Sequence, residues 1–269
     1  MSKTKDYRLV FDDQCPICRT YSKVFKATGF IDEKSLEGYQ SATEETCILI
    51  DKKRACNEIA LVNIQSGEVI YGVDSILKLV TLRLPFLNSI LNLKPIYWFL
   101  KRFYCLIAYN RKIILPNMHK SDSCVPDFNL KYRFVYLLMS QFLFIISWSF
   151  YLSKFNSGSV NYLSVYFLFQ LIGLNFIEYL LFLKGDKVFY FNVLGNFSTV
   201  LVLTVFCIPI ENLVESIVGE FSKITQQFFF LIILIVVFVE TFRRFKYQKY
   251  RLIHSLILPI WLVEVYFLL

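Results

Sequence analysis

The sequence lacks the features that mark a secreted protein, a haem protein or a repeat protein. Its opening, MSKTKDYRLVFDD, contains no hydrophobic stretch of the roughly 7 to 15 residues that a secretory signal needs, so we expect the N-terminal part not to be exported. Two histidines are too few and too far apart to suggest haem ligation, and no flavin or quinone motif is visible. The chain also has no internal repeat and no low-complexity linker.

The composition is too apolar for one uniform soluble domain. Hydrophobic residues make up 56% and the mean hydropathy is +0.50, against about 45 to 50% apolar residues in soluble domains. The 28 Phe and 17 Tyr exclude a disordered chain. Lys and Arg number 20 and Asp and Glu 14 up to Arg133, but only 9 and 7 beyond it. We therefore predict a basic soluble domain over residues 1–131 and a helical membrane domain over residues 132–269.

The apolar part is predicted to contain five membrane spans. About 20 apolar residues cross a ~30 Å hydrocarbon core as a helix, and five segments approach or reach that length: 134–153, 160–183, 188–210, 224–242 and 252–269. The connecting loops alternate in charge, with three Glu against one Lys in 211–223 and five basic residues in 243–251. The excess of basic residues on cytoplasmic loops places the N-terminal domain in the cytoplasm and the C-terminus on the opposite side.

A few ionisable residues lie within these predicted spans. Such groups are costly in a membrane, so a functional role is the default interpretation. Glu240 and His254 lie near a cytoplasmic loop and can equally be explained by side chains that reach the interface. Glu178 and Glu264 are less easily explained in that way, and we expect them to face a cavity or a partner helix.

The first part of the sequence has the pattern of a small α/β domain. A short apolar run, Arg8 to Phe11, is followed by CPICRTYSKVFKATG, which has the spacing of a helix with Pro16 in its first turn and Gly29 at its end. The runs IALVNI and EVIYG, joined by QSG, indicate a hairpin, and VDSILKLVTLRL indicates a helix. Residues 43–58 fit a helix, although CILI also fits a strand.

The segment from Pro85 to Pro116 mixes aromatic and basic residues. This composition suits a helix at a membrane surface. The alternative, slightly favoured, is that these aromatic side chains cover the domain's own sheet.

The chemistry of the sequence lies in FDDQCPIC. A thiolate, rather than a thiol, attacks a disulfide, so a redox cysteine needs a lowered pKa. The N-terminus of the predicted helix favours a negative sulfur at Cys15, and Cys18 lies one turn later, where it can resolve a mixed disulfide. We predict that Cys15 is the nucleophile and Cys18 the resolving thiol, with no bound cofactor.

Other cysteines leave a zinc site as a minor alternative. A structural zinc site would need two further ligands, for which His119 and Cys124, or Cys47 and Cys56, are available. The odd number of cysteines, seven, and their irregular spacing fit reduced cytosolic thiols better than a disulfide framework.

The same residues carry a resemblance to a known family. FDDQCPIC resembles the D-x-x-C-x-x-C signature of the DCC family of thiol–disulfide oxidoreductases, GEVIYGVDSILKLVTLRLP resembles its strand, glycine and helix segment, and FYCLIAYNRKII resembles its closing element. The resemblance covers about Tyr7 to Pro116 and implies a thioredoxin-like fold. The positions that match the family as signature, structural or site-lining residues are Asp12, Cys15, Cys18, Gly72, Tyr104, Asn110 and Arg111.

Two acidic residues precede the cysteines. Asp12 fits a proton relay to or from Cys18 and fits, slightly better, a cap on the turn before the helix. Asp13 stands where the family usually has glycine, and its added charge is expected to raise the pKa of the thiols. No proline precedes IALVNI, so the cis-proline substrate platform of thioredoxins is not evident.

Together these patterns predict a membrane-anchored thiol–disulfide oxidoreductase that reduces a protein or small-molecule disulfide. The rival hypothesis is a membrane scaffold or transport component whose N-terminal domain is a binding module. Dispersed Lys and Arg residues without a recognition motif argue against nucleic acid and favour contact with membrane lipid. No feature of the sequence indicates an oligomeric state.

Overall fold

A computed structural model describes residues 6–116, 124–152, 186–219, 221 and 223–247. The chain divides into two compact units, residues 1–132 and 133–269. The predicted spans 160–183 and 252–269, with Glu178, His254 and Glu264, lie outside the described residues, as does His119.

A four-stranded mixed sheet forms the centre of the first unit. The strands, in the order β2-β1-β3-β4, are β1 (Tyr7–Phe11), β2 (Leu36–Gly38), β3 (Ala60–Asn63) and β4 (Val69–Tyr71). β1 runs parallel to β2 and antiparallel to β3, which forms a hairpin with β4. The predicted hairpin is confirmed, and its turn contains Gly67 at a φ of 71°.

In the described part of the first unit, six helices accompany the sheet. They are α1 (Pro16–Ala27), α2 (Glu44–Leu49), α3 (Lys52–Asn57), α4 (Val73–Arg83), α5 (Asn88–Leu91) and α6 (Lys94–Ile114), with single 3-10 turns at Glu33–Ser35 and Pro85–Leu87. CILI therefore belongs to a helix and the turn after it, not to a strand. Gly29, at a φ of 69°, follows α1 as the sequence predicts.

The alternation of side chains along the strands builds two apolar layers. Leu9 pairs with Leu61 and both lie on one face of the sheet, where they pack with residues of α1, α4 and α6. Val10 pairs with Ala60 on the other face, which packs against α2 and α3. This arrangement, with helices on both faces of the sheet, is consistent with a thioredoxin-like α/β domain.

Helix α6 forms much of the aromatic and basic segment 85–116, and its aromatic side chains fall into two groups. Tyr104 packs into the apolar layer under the sheet, whereas Trp98, Phe99 and Phe103 are half exposed or more. One face of the helix therefore covers the domain's own core, and its exposed side carries these aromatic rings together with Lys101 and Arg102.

The second unit is helical in its described part. The helices are α7 (Leu130–Leu152, whose first residues belong to the first unit), α8 (Lys187–Val218) and α9 (Lys223–Tyr247). Within the described residues, two helical stretches are long and apolar enough to cross a membrane, Leu130–Tyr151 and Lys187–Val218, where the sequence predicted five spans. Phe142, Phe150 and Phe206 are 63 to 73% exposed on these helices, which suits contact with lipid.

Two polar side chains of the second unit, Trp148 and Glu240, have polar partners. The indole N–H of Trp148 donates a hydrogen bond to the hydroxyl of Thr204 at 2.8 Å. Glu240 lies 2.7 Å from both Arg243 and Arg244, so its carboxylate is held in an ion pair rather than isolated.

Candidate active site

The turn between β1 and α1 places the two cysteines. The backbone N–H of Cys15 donates to the carbonyl of Asp12 at 3.1 Å, and Pro16 occupies the first position of α1, where its missing N–H has no intrahelical partner to lose. Cys15 is the N-cap residue, in an extended conformation, and Cys18 lies one turn later. Both cysteines are free thiols, and their side chains are 0% and 4% exposed.

Cys15 is the acidic thiol of the pair. Hydrogen bonding from the Cys18 side chain, aided by the Cys18 backbone N–H and by the positive charge of Arg111, lowers the pKa of Cys15 from 9.0 to about 6, against the opposing effects of burial and Asp12. The same hydrogen bond raises the pKa of Cys18, and burial raises it further. Cys15 is therefore a thiolate near neutral pH, and Cys18 keeps its proton.

Arg111, in the last turn of α6, is a cation whose charge lowers the pKa of both thiols. It is 5% exposed. Its Nη2 lies 3.3 Å from Oδ2 of Asp12 and donates to the carbonyl of Cys56 at 2.7 Å, while its Nη1 donates to the carbonyl of Asn57 at 3.1 Å. The guanidinium thus joins the Cys15–Cys18 turn to the end of α3.

Asp12 has a structural role that combines a turn and an ion pair. Its Oδ1 accepts a hydrogen bond from the backbone N–H of Gln14 at 3.1 Å, and Oδ2 faces Arg111 at 3.3 Å and Lys112 at 3.7 Å. The carboxylate thus caps the turn before the helix and also lies close enough to the thiols to raise the pKa of Cys15. The structure provides the geometry for capping and leaves a proton relay open to test.

The effect of Asp13 on the thiols stays a prediction. Arg111 lowers and Asp12 raises the pKa of Cys15, and the net shift is downward. Asp13 lies against Gly38, where a Cβ atom would come within 2.5 Å of its Oδ2.

A disulfide joins Cys56 to Cys124, with Cα atoms 5.4 Å apart. The expectation that the cysteines are all reduced is therefore wrong for this pair. Sequence spacing gave no signal because 68 residues separate the two positions and only folding brings them together. Cys56 and Cys124 were candidate zinc ligands, and sulfurs joined in a disulfide do not bind zinc as thiolates. Within the described residues, no cluster of three or more His, Cys, Asp or Glu side chains is placed to hold a metal ion.

The remaining family positions lie around the pair rather than in contact with it. The hydroxyl of Tyr104 accepts a hydrogen bond from the backbone N–H of Ile59 at 3.0 Å. Gly72 has a φ of 70°, and a Cβ there would approach Glu58 to 2.8 Å. The amide of Asn110 donates to the carbonyls of Leu106 at 2.8 Å and Tyr132 at 3.1 Å, so it fixes the end of α6.

A cavity of about 290 Å³ opens beside the cysteines. Its walls come from α1, α4 and α6, and Cys18, Tyr21, Asp12 and Arg111 lie on its lining. Cys15 does not reach the lining, so the sulfur pair contacts the cavity through Cys18.

Sequence reasoning missed several groups at this site. Tyr21 lies on the apolar face of α1, yet its hydroxyl hydrogen-bonds to Cys18 and its pKa is raised by burial. Lys112 lies 3.7 Å from Asp12. It is next in sequence to Arg111, which matches the family, and this position was the available signal for it. No pattern of neighbouring residues in the sequence indicates the bond between Cys56 and Cys124, which are 68 residues apart.

The acidity of Cys15 predicts its reaction with an alkylating reagent. Between pH 4 and 9, the rate of alkylation of Cys15 by iodoacetamide should rise with a midpoint near pH 6, because the thiolate is the reacting form. Peptide mass spectrometry can follow Cys15 separately from Cys47, a half-buried free cysteine that serves as the internal reference. A midpoint for Cys15 above pH 8 would contradict the stabilised thiolate.

Comparison with known proteins agrees with these observations. Residues 9–115 match the family model of DCC1-like thiol-disulfide oxidoreductase, and this range includes most of β1, the cysteine pair and all of α6. No curated protein matches the chain. No solved structure matches it either. The part of the chain that contains the candidate active site, residues 9–115, is therefore similar to the DCC1-like thiol-disulfide oxidoreductase family.

Proposed function

We propose that the chain is a membrane-anchored thiol–disulfide oxidoreductase in which Cys15 is the nucleophile and Cys18 the resolving thiol. One observation carries the proposal: Cys15 occupies the N-cap of α1, and hydrogen bonding from Cys18 lowers its pKa to about 6. A structural cysteine buried among apolar groups would show the opposite shift, because burial alone raises the pKa of a thiol.

The exchange reaction follows from this arrangement. The Cys15 thiolate attacks one sulfur of a partner disulfide, forms a mixed disulfide and releases the other partner sulfur as a thiolate. Once Cys15 is no longer charged, Cys18 loses the interaction that contributes most to its raised pKa. Cys18 can then lose its proton and attack the Cys15 sulfur, which breaks the mixed disulfide and releases the second partner sulfur as a thiolate. The result is a Cys15–Cys18 disulfide, with two electrons transferred to the partner.

Reduction of the partner is the proposed direction. A cytosolic dithiol rests in the reduced form, and the structure contains Cys15 and Cys18 as free thiols. Exchange requires access to a sulfur atom, and in the Cys56–Cys124 bond Cys124 is buried, at 5% exposed, while Cys56 is only partly exposed. A structural disulfide and a reduced active pair can therefore coexist in one domain.

The proposed cytoplasmic position of the domain depends on the loop charges. Residues 243–251 contain five basic residues, and the loop after α8 begins from a helix end that carries Glu211 and Glu215. Basic residues favour the cytoplasmic side of a membrane. The apolar exposed faces of α7 and α8 supply the proposed contact with lipid.

Complete burial of Cys15 favours a second candidate, a membrane scaffold or transport component with a non-enzymatic N-terminal domain. A folded protein cannot bring a disulfide to a sulfur atom with no exposed surface unless neighbouring groups move. Under this hypothesis the intramembrane acids Glu178 and Glu264 carry the function, and the thiols do not react.

A Cys18→Ser variant separates the two candidates. Without the resolving thiol, Cys15 should remain in mixed disulfides, which would appear as adducts on non-reducing gels and disappear on reduction. The full-length protein should be expressed in cells and quenched with acid, so that exchange stops at the moment of lysis.

Two matched variants complete this experiment. Cys15→Ser/Cys18→Ser should show no adducts, and Cys47→Ser should behave as the parent protein because Cys47 lies outside the pair. If Cys18→Ser forms no adducts, or if they persist in the double variant, Cys15 does not perform exchange and the scaffold hypothesis gains support.

A further inference from the structure

The cavity beside Cys18 has mostly apolar walls and a few polar or reactive groups. Apolar side chains from three helices form most of the walls, among them Ile17 and Phe25 of α1, Ile76 of α4, and Leu100, Phe103 and Ile107 of α6. Cys18 and Arg111 also line the cavity, together with Asp12 and Glu58. Substrate sites in proteins commonly have this organisation, with apolar walls for binding and a few polar groups for orientation.

The volume of the cavity limits the size of its ligand. At about 290 Å³ it lies at the lower end of the range for small-molecule sites. A polypeptide segment would also bring backbone N–H and C=O groups against apolar walls, and each unpaired group would cost roughly 1 to 3 kcal/mol. A small molecule without such groups fits better than a peptide.

The cavity also resolves how a buried pair can react. Cys15 has no exposed surface and Cys18 is 4% exposed, but Cys18 lies on the cavity wall. A disulfide that enters the cavity and contacts Cys18 lies next to Cys15 as well, because the two sulfurs are hydrogen-bonded. A small reactant in the cavity therefore needs only a shift of the Cys18 side chain, not a movement of the α1 backbone, to reach the thiolate.

From these contacts we infer that the cavity is the substrate site and that the substrate is a small lipophilic disulfide. The inference rests on the proposed function and names its substrate class. Protein disulfides, which the proposed function also allows, are not the preferred substrates of this site.

The reaction in the cavity balances without a further reagent. Attack by the Cys15 thiolate breaks the substrate S–S bond, forms a mixed disulfide and releases one alkyl thiolate; attack by Cys18 then releases the second. The two electrons of the dithiol reduce the substrate, and the Cys18 proton and one from water convert the products to thiols.

Arg111 has a role in this step as a positioning residue. An alkyl thiolate is unstable in apolar surroundings unless a positive charge is near. Arg111 lies on the cavity lining, and its buried Nε has no hydrogen-bond partner in the described part of the chain. The guanidinium can therefore stabilise the departing thiolate.

Two disulfides of equal size provide the test. Dipropyl disulfide and bis(2-hydroxyethyl) disulfide have the same number of heavy atoms and the same C–S–S–C group, and they differ in a terminal methyl or hydroxyl at each end. Pre-reduced full-length protein in detergent is mixed with each, and formation of the Cys15–Cys18 disulfide is followed in a single turnover. The second-order rate constant should be about tenfold or more higher for dipropyl disulfide, since apolar walls leave a hydroxyl unpaired.

Phe103→Ser and Phe86→Ser form a matched pair for this assay. Both rings are largely exposed, at 50% and 70%, so neither substitution should unfold the domain, but only Phe103 lies on the cavity wall. Phe103→Ser should lower the rate with dipropyl disulfide by roughly three- to tenfold and lower the rate with bis(2-hydroxyethyl) disulfide by a smaller factor, so that the preference for dipropyl disulfide falls. Phe86→Ser should change neither rate, which controls for partition of the apolar reagent into detergent.

Each outcome has a distinct meaning. Equal rates for the two disulfides, or a preference that Phe103→Ser and Phe86→Ser reduce equally, would overturn the cavity as a lipophilic substrate site while the proposed exchange activity stands. No oxidation of the pair by either disulfide, together with no adducts in Cys18→Ser, would overturn the proposed function itself. Faster reaction with a protein disulfide such as insulin than with dipropyl disulfide would also contradict the inference.

Discussion

Replacement of Arg111 by methionine should lower the free energy of unfolding of the first unit by about 3 kcal/mol, because breaking a buried ion pair from one side leaves an uncompensated charge. The side chain of Asp12 is 2% exposed and that of Arg111 is 6% exposed, so water cannot replace the lost partner. Lys112 remains 3.7 Å from Asp12, which keeps the expected loss at the lower end of the usual range. The carbonyls of Cys56 and Asn57 also lose their donor.

The same substitution should make Cys15 less acidic. Arg111 is one of the groups that lower the pKa of Cys15, while the hydrogen bond from Cys18 contributes most and remains. The pKa should therefore move from about 6 towards 9.0 without reaching it. The alkylation midpoint of Cys15 should shift upward with it, and reactivity at neutral pH should fall.

Hydrogen exchange of full-length protein in detergent can measure the stability change locally, from backbone amides of β1 and β3 in the centre of the sheet. Arg19→Met, which removes a positive charge from the exposed face of α1, is the matched control and should change little. Asp12→Asn/Arg111→Met should be more stable than Arg111→Met alone, since no buried carboxylate remains unpaired. If Arg111→Met leaves both the hydrogen-exchange protection of β1 and β3 and the pH midpoint of Cys15 alkylation unchanged, the ion pair contributes neither to stability nor to the acidity of Cys15.

Loss of the Cys56–Cys124 disulfide should be the other large effect. The bond closes a loop across 68 residues, and the loop-closure entropy of an unfolded chain of that length corresponds to about 4 kcal/mol. Cys124→Ser should therefore lower the stability of the first unit by several kcal/mol. The bond also fixes the end of α3, whose carbonyls accept hydrogen bonds from Arg111. The pH midpoint for alkylation of Cys15 should therefore shift upward as well.

Cys56→Ser should reproduce the effect of Cys124→Ser, and the double variant should lose no more than either single variant, because all three lack the same bond. Cys105→Ser, at a half-buried free cysteine of α6, is the matched control. Mass spectrometry of unreduced peptides should find the peptide with Cys56 linked to the peptide with Cys124. Recovery of both as alkylated thiols from unreduced protein would contradict the bond.

Local patterns predicted the elements that present the chemistry. The run before FDDQCPIC and the spacing after it indicate a strand and a helix, and Pro16 marks the helix start, because each of these signals acts within a few residues. The hairpin and α4 were predictable for the same reason. The short strand β2 was not, since three residues give too short a pattern, and its pairing with β1 exists only in the folded sheet.

The sequence by itself determined that two thiols one helical turn apart lie at a helix N-terminus, and that the chain combines an α/β domain with a longer apolar part. Only the tertiary structure decided which charges surround the thiols. Arg111 reaches Asp12 across 99 residues, and Cys56 reaches Cys124 across 68. The cavity likewise needs three helices that are far apart in the sequence. The physical reason is that helix and strand patterns arise from neighbours along the chain, whereas electrostatic and packing environments depend on distances in space.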